Sequence, residues 1–158
     1  MIESQPFEDI LHFNESKDYL VEKINKFVEV KHEQLKNLQM AGFVQEDTDL
    51  IQIFFTNLES IAECIECIKD QGELNDLFYR IDEYFEKYSL TFSELRSLYS
   101  LEASYRANEL IQNPISADKV ERLNRDIKQK RDVLDNLVQL TAHTYFVLAS
   151  KNQGAQRV

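Results

Sequence analysis

The chain has 158 residues, 28 acidic against 18 basic, a formal charge of −10, and only three Gly, two Pro, two Cys and no Trp. That length suits one domain, and a content of 43% hydrophobic and 29% charged residues is too apolar for a disordered acidic tail and too interrupted by charge for a bilayer span. So few Gly and Pro leave little room for tight β-turns or phosphate-cradling glycine loops, and two cysteines cannot make a disulfide framework, so an all-α fold is expected.

The opening residues, Met1 to Glu8, carry neither the basic nor the apolar stretch of a secretion signal, so a cytoplasmic setting is expected. Ser4 and Pro6 suit the cap and first turn of a short helix within residues 1–15, carrying Phe7, Ile10 and Leu11. A bundle or coiled-coil domain is then expected over residues 16–153, with a frayed end at 154–158. Its first long helix runs from Ser16 to Gly42, with Val21, Ile24, Val28, Leu35 and Leu38 at steps of three and four and Lys31 taking one seam position. Gly42 supplies a left-handed C-terminal residue.

The capping-type residues Asp47, Thr48 and Asp49 predict the next start, and Gly72 the next stop. Between them Ile51, Phe54, Leu58, Ile61, Ile65 and Ile68 form an apolar seam with a heptad period. Ile53, Phe55 and Ala62 broaden that face beyond what a two-stranded coil needs, so this helix should contact two neighbours.

Residues 73–112 contain no Gly or Pro, and Phe78, Ile81, Phe85, Tyr88, Phe92, Leu95 and Tyr99 repeat at helical spacing. A capping box of Thr91 and Glu94, with weak helix formers Ser89 and Ser93 beside it, predicts a break or kink near 89–91. Asn113-Pro114 ends the segment. Ser116 caps a last helix with Val120, Leu123, Ile127, Leu134 and Leu137 on its seam, reaching Tyr145 and Leu148 before Gly154. Short connections at 43–46, 71–72 and 113–115 favour antiparallel neighbours, hence an elongated antiparallel bundle of long helices.

Charge is uneven, at −3 over residues 1–42, −10 over 43–112 and +3 over 113–158. The basic excess gathers at Lys119, Arg122, Arg125, Lys128, Lys130 and Arg131. Its natural partner is the acidic middle of the same chain or of a companion subunit, and with Glu121 and Asp126 interleaved and no aromatic residue among the bases, nucleic acid is not expected.

Cys64-Ile65-Glu66-Cys67 has zinc or dithiol spacing, but no second cysteine pair exists, His12, His32 and His143 are scattered, and Cys64 lies far from its helix N-terminus. Ordinary half-buried cysteines are expected. Glu29-Val30-Lys31-His32 is one Glu-x-x-His pair where a di-iron bundle needs two, and Asp9 to His12 is an imperfect second. No nucleophile elbow is present. The sequence therefore assigns no catalytic, cofactor or metal residue, and a helical-bundle metalloprotein is a minor alternative.

The stretch Asn108-Glu109-Leu110-Ile111-Gln112-Asn113-Pro114-Ile115, followed by a basic helix with Val120, Leu123, Ile127 and Leu134, resembles the C-terminal part of small subunits of augmin (HAUS). The likeness spans roughly residues 93–153. It implies an elongated hetero-oligomer that recruits γ-tubulin complexes to spindle microtubules and promotes branched nucleation. The expected function is that of a non-catalytic coiled-coil subunit, with other coiled-coil subunits as partners, microtubule association and a cytoskeletal location. A kinetochore or organelle-trafficking scaffold is the alternative. Partner-binding residues are expected in the seam Ile51, Phe54, Leu58, Ile61, Ile65 and Ile68, and in the basic row Lys119, Arg122, Arg125 and Lys128.

Overall fold

A computed structural model of the chain describes the backbone of residues 5–156 and the side chains of residues 12–151. Four α-helices, α1 (Gln5–Leu35), α2 (Gln45–Cys64), α3 (Gln71–Leu110) and α4 (Ala117–Gln156), are joined by turns and a one-turn 3-10 helix at Ile65–Cys67. The fold is an all-α bundle, and no strand occurs among the described residues.

The expected short first helix is part of α1, which passes through residues 14–16 uninterrupted. Ser4 and the side chains of Pro6, Phe7, Ile10 and Leu11 lie outside the described residues. α1 stops at Leu35, earlier than expected, and turns lead to Gly42, which holds φ at +93°. A Cβ there would lie 3.1 Å from Cβ of Tyr99, so this turn needs glycine both for its backbone and for the close approach of α3.

The second stop was misplaced. α2 ends at Cys64, and Ile68 then takes an extended conformation at ψ 126°. Gly72 lies in the first turn of α3, where its N–H donates to the Asp70 cap at 3.0 Å. The Asp70 side chain thereby satisfies a first-turn amide that has no partner within the helix. α3 continues through residues 89–91 with no break: Thr91 is buried on its core stripe with Leu74, Leu77, Ile81, Tyr84, Tyr88, Leu95 and Tyr99, and packing overrides the local capping signal. The helix closes before Pro114, with Gln112 at φ 61° and the Asn113 N–H donating to the Asn108 carbonyl at 2.9 Å. Ser116 caps α4 as expected, through the Lys119 N–H at 3.4 Å. α4 runs past Gly154 to Gln156, and the last two residues lie outside the described ones.

Around the core the helices follow the order α1, α2, α4, α3. α1 and α2 are antiparallel, as are α3 and α4: Tyr84 meets Thr144 near one end and Tyr99 meets Arg131 farther along. α2 and α4, however, run parallel, because Asp47 pairs with Arg131 and Asn57 with Thr141 at the same separation of 84 residues. The three-residue link at 68–70 carries the chain to a diagonal position, so consecutive helices α2 and α3 are not neighbours. Large rings span the diagonal, with Tyr88 of α3 at 5.3 Å from Phe54 and 5.5 Å from Phe55 of α2. Phe27 of α1 stacks on Phe85 at 3.9 Å and meets Tyr88 edge-on. Leu20, Ile24 and Val28 complete the buried face of α1, and Leu38 in the turn that follows is buried beside them, while Val21, Leu35 and Lys31 lie half-buried at the margin of the helix.

Buried polar groups on α4 are paired. Asn57 Nδ2 donates to the Val138 carbonyl and to Thr141 Oγ1, both at 3.1 Å, and the Tyr84 hydroxyl meets Thr144 Oγ1 at 2.9 Å. The exception is the Tyr88 hydroxyl, buried with no hydrogen-bond partner among the described residues. Burial pushes its phenol above the usual tyrosine value. Removing an unsatisfied buried hydroxyl should not destabilise, so Tyr88→Phe is expected to match or exceed wild-type stability by about 1 kcal/mol at neutral pH. The raised folded-state value also means that stability is unaffected by ionisation of this group below its unfolded value near pH 10 and falls as pH rises beyond it, because the unfolded phenol ionises while the folded one stays neutral. Urea unfolding should therefore find the Phe variant less sensitive than wild type above about pH 10. A clear loss of stability at neutral pH would show that the hydroxyl holds a partner.

Candidate interaction surface

The start of α2 meets the α3–α4 hairpin at a buried polar cluster. Asp47, third residue of α2, is 0% exposed. Its carboxylate accepts from Arg131 Nε at 2.6 Å, from the Tyr99 hydroxyl, and from the Val44 N–H at 3.4 Å. Arg131 Nη2 also donates to the Tyr99 hydroxyl at 3.0 Å, and Glu46 lies 3.7 Å from the guanidinium. Three helices are thus tied at one level by charge-assisted bonds. Burial and then the bond to Asp47 push the Tyr99 phenol up, and the bond to Asp47 holds the guanidinium firmly charged. From the sequence alone Asp47 is a capping residue and Arg131 one base in a cluster. The acidic middle and basic last helix were the signal that could have joined them.

Beyond this level the hairpin, residues 100–110 of α3 and 117–130 of α4, has no α2 beside it. Leu123 and Ile127 are buried there with half-buried Leu98 and Tyr105, but Leu101 is exposed, Leu110 is 85% exposed and Ile111 72%. Lys130 pairs with Glu94, and Arg106 with Glu102 at 2.9 Å. Lys119, Arg122, Arg125 and Lys128 are all exposed, and among the described residues the one carboxylate contact they make is Arg125 with Glu121 at 3.8 Å. The basic cluster therefore divides: Lys130 and Arg131 face the acidic block of their own chain, while the four expected partner-binding bases face solvent.

The expected partner-binding seam has a different fate. Ile51, Phe54, Leu58, Ile61, Ile65 and Ile68 are each at most 3% exposed and lie in the chain's own core. They form no outer surface, because α1 and α4 flank α2 and α3 faces it across the core. Cys64 is buried at the C-terminal end of α2 and Cys67 is exposed; burial, then the charges of Cys67 and Glu63, raises the Cys64 thiol value, opposite to what a reactive thiolate needs. His12, Glu29, His32 and His143 are exposed, and no group of three metal-ligating side chains converges among the described residues.

No protein-family model, curated protein or solved structure matches the chain. Among the described residues, no helix is long and apolar enough to cross a membrane.

Proposed function

We propose that the chain is a non-catalytic structural subunit of an intracellular multiprotein assembly, and specifically of an augmin-like, microtubule-associated complex that promotes nucleation of new microtubules from existing ones. The observation that carries the reading is the end of the α3–α4 hairpin, where Leu110 and Ile111 stand in solvent beside a basic row with little internal pairing. These are the residues of the augmin resemblance, and packing inside the chain does not account for them. Exposed cations suit an acidic partner such as the microtubule lattice.

Replacing Lys119, Arg122, Arg125 and Lys128 together by Gln is expected to leave the melting temperature nearly unchanged, since exposed ion pairs contribute about 0–1 kcal/mol. Companion subunits should be lost from native affinity purification read by mass spectrometry, and wild-type association should weaken with salt as the Debye length falls from about 10 Å at 0.1 M to about 3 Å at 1 M. A melting temperature that falls together with binding would return the four bases to an intramolecular role. Recovery of the wild-type chain as a lone monomer would overturn the assembly reading altogether.

A further inference from the structure

The bundle closes unevenly. α1 packs closely on α2 but meets α3 through large side chains, the rings of Phe27 and Phe85 among them, rather than by close backbone approach, and an open groove of about 440 Å³ runs along that seam. Its floor is apolar, formed by Phe27 stacked on Phe85 at 3.9 Å and flanked by Tyr19 at 60% and Val30 at 53% exposure. From Tyr19 to Lys31 the lining spans about three helical turns, roughly 18 Å. Lys26 and Lys31 stand on the rim without an ion-pair partner among the described residues, while Lys23 is held by Asp82. Glu22 is the one acid in the lining. A basic rim over an apolar floor is unexpected in a chain of charge −10.

We propose that this groove receives an amphipathic acidic helix of about three turns from a partner protein, with apolar residues at i, i+4 and i+7 on the floor and carboxylates facing Lys26 and Lys31. The charge of the rim selects this occupant. A second copy docked by the same face would set these lysines against their own counterparts, and a flat membrane surface does not fill a recessed floor. The inference rests on the reading of the chain as an assembly subunit and locates a second contact, on the α1 side of the bundle and separate from the hairpin end.

The test titrates the full chain against two labelled synthetic peptides of about 14 residues, long enough for nearly four helical turns. Both carry Leu at i, i+4 and i+7, one flanked by Glu and the other by Lys. The Glu peptide should bind at least about tenfold more tightly, a difference of about 1.4 kcal/mol. The double variant Lys26→Glu, Lys31→Glu should reverse that order, and Val30→Glu should abolish binding without changing the thermal melt. Equal binding of the two peptides, no binding of either, or indifference to Val30→Glu overturns the proposal. So does a wild-type dimer in sedimentation that Val30→Glu dissolves, which gives the groove to a second copy, or lysine-dependent binding to phosphatidylserine vesicles, which gives it to a membrane. Failure here with companions still recovered in native purification sinks the groove alone, whereas a lone monomer there sinks the subunit reading.

Discussion

Arg131→Met should destabilise the protein by about 3–5 kcal/mol, because it leaves the carboxylate of Asp47 buried without its cation. Asp47 is 0% exposed, and once Arg131 is gone its remaining contacts are the Tyr99 hydroxyl and the Val44 N–H. Two neutral donors do not replace the charged Nε donor of Arg131 beside a fully buried carboxylate. Adding Asp47→Asn should recover more than half of the loss, since the amide can still accept from Tyr99 and Val44 and no longer carries charge. Urea unfolding of the wild type, both single variants and the double variant measures this coupling directly. Additive effects, or a loss below about 1 kcal/mol for Arg131→Met, would mean that solvent reaches the cluster. The outcome also bears on function, because this cluster fixes where the free end of the hairpin begins.

Ile61→Asp should cost several kcal/mol, a large share of the roughly 5–15 kcal/mol that holds a domain folded. Ile61 is 0% exposed on the same stripe of α2 as Phe54, Leu58 and Ile65, so the new carboxylate would enter apolar surroundings and leave a void where the larger side chain packed. The expected readout is loss of the cooperative thermal transition by circular dichroism. Glu63→Ala, two residues away on the exposed side, should shift stability by no more than about 0.5 kcal/mol. Similar effects from the two changes would show that the assigned buried face of α2 is wrong.

Apolar spacing in the sequence was enough to place four helix cores, because a 3.6-residue period carries no ambiguity when it is sustained through Ile51 to Ile61 or Leu123 to Leu137. Helix ends were legible where a local rule governs them. Pro114 excludes helix from its neighbour and Ser116 satisfies a free amide, and both predicted ends hold. Gly72 and Thr91 carry the same kind of signal, and packing overrides it at both. At Gly72 the stop comes earlier, from the extended backbone at Ile68, and at Thr91 the side chain is needed in the core stripe of a continuous helix.

Local period says which face of a helix is apolar and is silent about which helix covers it. The seam from Ile51 to Ile68 could equally have met a partner chain; the tertiary structure buries it internally because α4 returns parallel to α2 and α1 covers the other side. The Asp47–Arg131 pair was hidden for the same reason: its members are 84 residues apart and meet only once α3 has taken the diagonal position. Composition and heptad spacing by themselves determined that this protein is helical and where its apolar stripes run, since both follow from backbone geometry within a few turns. Neighbour order, the division of the basic cluster into paired and free halves, and the open groove beside α1 were decided by tertiary packing, because each depends on which distant surfaces exclude water together.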